Sequence, residues 1–286
     1  MALNRELIGK EYPPGTYKVT EDAIIKYALA TNDDNLWYTY PRREGGIIAP
    51  PIFGVVWNHL ELGKPLFDPD LKVNLLMLLH GEQDMIFKKV VKPGDTITTV
   101  SSVHHIEDKG SGEILVIKLL SKNQEGEEVL ETYSTMFIRG SGSGKKKDEK
   151  KEDTKKTPKL GEPVFVQEVH VKKYQPYIYA EASGDHNPIH VDPNTAKMAG
   201  LPGVILQGLC TMAFAQNAIV NNYLGEDPRK LRRLKVRFSK PVLPGDTLKV
   251  VAWETERNEK IGKLFFEVYN QKCEKVITDG LAEAEV

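Results

Sequence analysis

Cysteine is scarce in this chain. Two in 286 residues, Cys210 and Cys273, are too few for a disulfide framework or a cysteine-built zinc site. No run approaches the roughly 18 apolar residues a membrane span needs. The opening Met1-Ala-Leu-Asn-Arg-Glu-Leu-Ile8 has no apolar stretch long enough for a secretion signal. Charge of one sign is missing too: the net charge is −1, so no global field argues for nucleic acid or a membrane surface as partner. These absences set the first expectation, a globular chain in the reducing cytoplasm. The composition, 40% hydrophobic and 28% charged, is ordinary for such a protein.

What the chain does have is an order of elements that occurs twice. A short strand near Tyr17 leads into a helix over residues 21–30, with Thr20 as its N-cap and acidic residues in the first turn. Turn chemistry follows at Thr31-Asn-Asp-Asp-Asn35. A second helix, over 52–62, is expected to end at Gly63. Four β-leaning runs, 75–91, 95–107, 113–122 and 129–139, are separated by Gly, Pro, Asn and Asp, as in an antiparallel sheet.

After residue 160 the order returns: a strand at 163–171, a helix at 171–182, a longer helix from Gly208 to Tyr223, then strands at 231–240, 246–257, 263–271 and 275–286. Between the copies, Gly140-Ser-Gly-Ser-Gly144 runs into residues 145–159, where eight lysines meet four acids. So few apolar residues cannot support a core. The glycine run is one residue short of a phosphate-binding loop and leads into no helix. The organisation expected is therefore one copy over 1–139, a flexible charged linker over 140–160, and a second copy over 161–286.

The repeat is in register. Asp33 falls on Asp185 and Asn35 on Asn187, both at a spacing of 152, and Ala49-Pro50 falls on Leu201-Pro202 at the same spacing. Pro93-Gly-Asp-Thr96 falls on Pro244-Gly-Asp-Thr247 at 151. Two positions break the match: Tyr38 stands where the second copy has His190, and Leu36 where it has Pro188. Only the second copy holds an acid and a histidine together.

That pair lies in Tyr179-Ala-Glu-Ala-Ser-Gly-Asp-His-Asn-Pro-Ile-His190. Gly184 is expected to end the preceding helix. Pro188, lacking an N–H, is expected to keep the following segment out of a helix, leaving His190 on a bent loop. The same expectation argues against His186 and His190 as an i,i+4 metal pair, and no metal or cofactor is expected. Asn187 is expected to pin the loop. Arg232, Arg233, Lys235 and Arg237 are expected to be a charged strand face, and Cys210 to lie in the core.

Together with Gly203-Val-Ile-Leu-Gln-Gly208 downstream, the run resembles the hydratase-2 motif of the MaoC-like (R)-specific enoyl-CoA hydratases and dehydratases. The match covers the second half well, and the first half resembles the degenerate copy of the two-domain members. The resemblance implies an α+β double hot-dog fold, each copy a curved antiparallel sheet wrapped around a central helix, the two pairing as an intramolecular pseudo-dimer. It implies catalytic Asp185 and His190, and a backbone N–H of Gly208 facing the substrate oxygen. One departure is Gln207, where many members have histidine.

The chemistry implied is reversible hydration of a trans-2-enoyl-CoA, or a carrier-protein thioester, to an (R)-3-hydroxyacyl thioester. An acid and a base holding one water suit that reaction, and a helix N-terminus suits the developing oxyanion. Residue order does not assign which is base and which is proton donor. Hydrolysis of the thioester, or acyl-thioester binding without turnover, are the alternatives.

Overall fold

A computed structural model describes residues 2–144 and 160–286. The charged tract at 145–159, most of the expected linker, lies outside the described residues. Its glycine-rich entry is held in place. Gly142 has no room for a Cβ, which would stand 2.3 Å from the Gly110 carbonyl, and Ser143 N donates to the Asp108 carboxylate at 3.2 Å.

The first copy runs β1 (Gly15–Lys18), α1 (Glu21–Ala30), α2 (Leu36–Thr39), α3 (Val55–Leu66), β2 (Leu78–Phe87), β3 (Thr96–Asp108), β4 (Gly112–Lys122) and β5 (Glu128–Arg139). The second runs β6 (Phe165–His170), α4 (Gln175–Ser183), α5 (Pro188–Val191), α6 (Pro193–Met198), α7 (Gly208–Tyr223), β7 (Leu231–Phe238), β8 (Thr247–Arg257), β9 (Ile261–Tyr269) and β10 (Lys275–Glu285). All ten strands form one antiparallel sheet, ordered β1-β3-β4-β5-β2-β7-β10-β9-β8-β6. The two copies thus meet strand to strand at β2 and β7, where Gln83 faces Val236 and Met85 faces Leu234. Those two pairings exchange under a spacing of 151. The join is a local two-fold.

The strands alternate as a half-covered sheet should. In β7, Leu231, Leu234 and Val236 are buried, while the four cations face out and pair with acids on neighbouring strands. Arg233 grips Asp84 with two bonds of 2.7 and 2.9 Å; Arg232 meets Glu285, Lys235 meets Glu82 and Arg237 meets Asp279. That is the charged strand face expected.

α7 occupies the hollow of the second half. Every residue from Cys210 to Val220 is buried, as in a helix enclosed on all sides. Its span agrees with the expectation from sequence. α3 departs from expectation: it runs through Gly63 to Leu66 with Pro65 in its last turn. Gly63 does not take the left-handed conformation that would end the helix, and the Phe67 ring folds back over it, 3.4 Å from where a Cβ would sit. α4 begins at Gln175 rather than 171, because Lys172 to Tyr174 form a turn stapled by Lys172 N donating to Gln175 Oε1 at 3.2 Å.

The fold also corrects one alignment. Ala49 N donates to the Val91 carbonyl and Leu206 N to the Val242 carbonyl, both at 2.8 Å. Ile48 N bonds Trp37 O as Ile205 N bonds Ile189 O. Ala49 is therefore the counterpart of Leu206, not of Leu201. Pro50 and Pro51 correspond to Gln207 and Gly208. The second copy carries five extra residues around α6, and Leu201-Pro202 belong to that insertion.

Candidate active site

The site begins where α4 stops. Gly184 takes φ 80° and its N–H bonds the Ala180 carbonyl, a glycine stop that frees the chain to turn. Asp185 follows, half-buried. Its N–H donates to Ser183 Oγ at 3.2 Å, and its Oδ1 accepts from Asn187 N at 3.2 Å. Asn187 in turn caps α5, with Oδ1 accepting from Ile189 N at 3.4 Å. This is the pinning role expected of it.

Here one sequence expectation fails. Pro188 does not exclude a helix; it starts one, as the first residue of α5. At that position the missing N–H would have had no intrahelical partner, and φ near −65° is already helical. His190 therefore sits on a single helical turn, 8% exposed, not on a bent loop. His186 lies before that turn, its Nε2 3.8 Å from Glu181, so the two histidines do not share a helix face. Among the described residues no cluster of three or more His, Cys, Asp or Glu could hold a metal ion.

His190 Nδ1 lies 2.8 Å from the Ile205 carbonyl. A carbonyl can only accept, so this bond places the proton on Nδ1 and leaves Nε2 with a lone pair. Burial pushes the imidazole below its usual pKa, and the Asp185 carboxylate acts against that shift. The ring is held neutral with an acid at hand.

The segment entering α7 ties these parts together. Ile205 holds His190. Gln207 donates from Nε2 to the Pro176 carbonyl at 3.0 Å and to the Asp185 carbonyl at 3.3 Å, so the residue that replaces histidine fastens the acid's loop to the start of α4. Gly208 then opens the helix. A Cβ on it would stand 3.1 Å from the Phe238 ring, so glycine leaves this end open between helix and ring. The first N–H groups of any helix lack an intrahelical acceptor. Asp185, His190 and Gly208 thus converge on one short stretch of backbone.

A fourth residue was not singled out from sequence. His80, on β2 of the first copy, packs edge-on to Phe238 with ring centroids 5.1 Å apart, and feels the charge of Asp185. Alternation alone, with Gln83 and Met85 inward, would send His80 to the other face. A β-bulge between His80 and Glu82 resets it, the device by which strands re-aim a side chain. Gly81 in the middle of a strand was the available signal.

The first copy shows the same frame with different groups in it. Asp33 Oδ1 accepts from Asn35 N at 3.2 Å, as Asp185 does from Asn187. Tyr38 is fully buried. Pro51 has no N–H to offer, and the next one, on Ile52, is already taken by Gln216 Oε1 of α7 at 3.0 Å. Burial raises the Asp33 carboxyl to about 7.

Residues 155–276 match the MaoC like domain, and residues 6–132 match the FAS1-like dehydratase domain region. The peroxisomal enoyl-CoA hydratase 2 of Arabidopsis thaliana is 31% identical over 86% of this chain and 85% of its own length. The chain belongs to the MaoC-like hydratase and dehydratase family. Among other MaoC-like relatives, a probable enoyl-CoA hydratase 2 of Dictyostelium discoideum is 27% identical over 98% of this chain and 96% of its own. A MaoC-like dehydratase from Phytophthora capsici superposes with a TM-score of 0.83 at 27% identity, covering 98% and 97% of the two chains. The α+β double hot-dog architecture expected from sequence is the MaoC-like fold seen here. No helix among the described residues is long and apolar enough to cross a membrane.

Proposed function

We propose that this chain reversibly adds water to a trans-2-enoyl-CoA thioester, giving the (R)-3-hydroxyacyl thioester. The observation that carries the reading is the backbone stretch from Ile205 to Gly208, which sets the tautomer of His190, anchors the loop of Asp185 and presents the first N–H of α7. One water donates a hydrogen to His190 Nε2 and another to the Asp185 carboxylate. Its oxygen bonds C3 of the substrate as an O–H breaks. The electrons pass to the thioester oxygen, where the Gly208 N–H and the helix dipole stabilise the enolate. The proton taken from water is delivered to C2, completing the addition.

The working unit under this proposal is one chain, with residues 161–286 reactive, residues 1–139 silent, and 140–160 joining them. CoA is the proposed handle of the thioester, and the cytoplasm the proposed compartment; the Arabidopsis relative is named as peroxisomal, so cell fractionation is the test of the second point. The reaction itself is tested with crotonyl-CoA. Loss of the enoyl-thioester absorbance without release of free thiol supports hydration. Thiol release at the same rate identifies a thioesterase, and binding without either change identifies a non-catalytic module.

A further inference from the structure

His80 does not stand alone. Gln83 Oε1 lies 3.0 Å from His80 Nε2 and accepts from Ser134 Oγ at 2.8 Å. Gln83 and Ser134 are each 2% exposed and face each other across β2 and β5 in the middle of the sheet. An amide oxygen has two lone pairs, and here each meets one partner. With Ser134 donating to the oxygen, the amide is oriented and His80 Nε2 meets an acceptor.

The molecule contains its own control. Under the two-fold at β2 and β7, His80 corresponds to Leu231 and Gln83 to Leu234, and the residue facing Leu234 on β10 is Ala282. Leu231, Leu234 and Ala282 are all buried. The fold therefore accepts an apolar trio at these places. The polar trio occurs only on the side that faces Asp185 and Gly208. Burying an amide and a hydroxyl there costs free energy unless they bond each other, and Met at position 83 would fill the same volume without that cost.

We propose that Gln83 and Ser134 are positioning residues for the hydration reaction: they hold His80 with its proton on Nε2, and so make a side chain of the silent copy part of the working site. The inference rests on the function proposed above. The His80 ring is steadied against Phe238, which itself abuts Gly208. A His80 free to flip or to move the proton would disturb the wall against which the thioester oxygen is received.

The test combines spectroscopy with a double-mutant cycle on the full chain. Long-range 15N–1H spectra of histidine-labelled protein, with the His80 signals assigned by His80→Ala, are expected to show a proton on Nε2 in wild type and a mixture in Gln83→Met. Gln83→Met is expected to lower kcat on crotonyl-CoA about 10–100-fold with KM changed less than about 3-fold, as for a displaced positioning group. Ser134→Ala should act in the same direction by less. Against a His80→Ala background, Gln83→Met should add less than about 2-fold, because residues acting through one another are not additive. Gln83→Glu keeps an acceptor and adds charge, so it should retain the tautomer and move the acid limb of the pH–rate profile upward. Melting temperatures of all variants identify any that fail to fold, in which case Gln83→Glu alone decides. Effects that multiply in the cycle, or wild-type His80 protonated on Nδ1, overturn the proposal. If no enoyl thioester turns over, it is the hydratase reading that fails, and the His80 spectra still decide the positioning.

Discussion

Pro51 occupies in the first copy the place that Gly208 holds in the second, since Ala49 and Leu206, two residues before each, make the same bond to the strand beside them. One substitution removes the donor that an oxyanion would need, because proline has no N–H. The two copies therefore differ in the backbone at this place as well as in Tyr38 and His190.

Asp185→Asn and His190→Ala should each lower kcat/KM on crotonyl-CoA by about 10²–10⁴-fold, the usual worth of a group that moves a proton. Asp185→Asn keeps the acceptor for Asn187 N, so its melting temperature should stay close to wild type. The decline in enoyl absorbance and a thermal melt measure the two effects. Wild-type turnover in both variants would mean that the site is misplaced.

Gly208→Ala retains the N–H but brings a methyl to 3.1 Å from the Phe238 ring. The ring or the substrate carbonyl must yield by a few tenths of an ångström. A loss of about 10–100-fold in kcat/KM is expected. Shaving the ring with Phe238→Leu in the same chain should return part of it.

The acid limb of kcat/KM should lie below the ordinary imidazole value of 6.5, because burial holds His190 neutral to lower pH. Activity is then flat through neutrality and falls only on further acidification. A limb above 6.5 would contradict a buried neutral histidine.

Asp33 gives the opposite sign, and in stability. Its carboxyl is raised from 3.8 to about 7 in the fold, so the native state favours the proton. The advantage is complete below the unfolded pKa and is lost as pH rises towards 7. Asp33→Asn keeps the oxygen that accepts from Asn35 N and never ionises. At pH 8 it should be more stable than wild type by on the order of 2–4 kcal/mol, read from denaturant unfolding. Equal stability at pH 8 would show that Asp33 is not held neutral.

Gln216→Leu should strand the Ile52 N–H in the core, at about 1–3 kcal/mol. The melting temperature should fall by several degrees, while turnover per folded molecule is kept.

Most of the architecture was legible because it is local. α7 opens at a glycine and is mostly apolar, and the strands of both copies alternate between turn residues. The acid and the histidine proposed for the site stand five residues apart in one motif, with the glycine 18 residues further on, so the sequence alone could nominate them. What was hidden depends on chain brought from afar. The bulge that turns His80 inward is a property of paired strands, and the bond from Gln83 spans no motif. Pro188 misled because the same residue that breaks a helix in its middle begins one at its first position. The five-residue insertion was masked because Pro50 and Pro202 happened to align.

The join between β2 and β7 bears on how this chain is built. Each half contributes to it a strand that would otherwise be a raw border of unpaired amides, and each border is sealed by the other. Two separate polypeptides covering the halves would thus be obligate mates, able to find each other without the tract between them. The first half also serves as a lining for the second: it closes the sheet and brings His80 against Phe238.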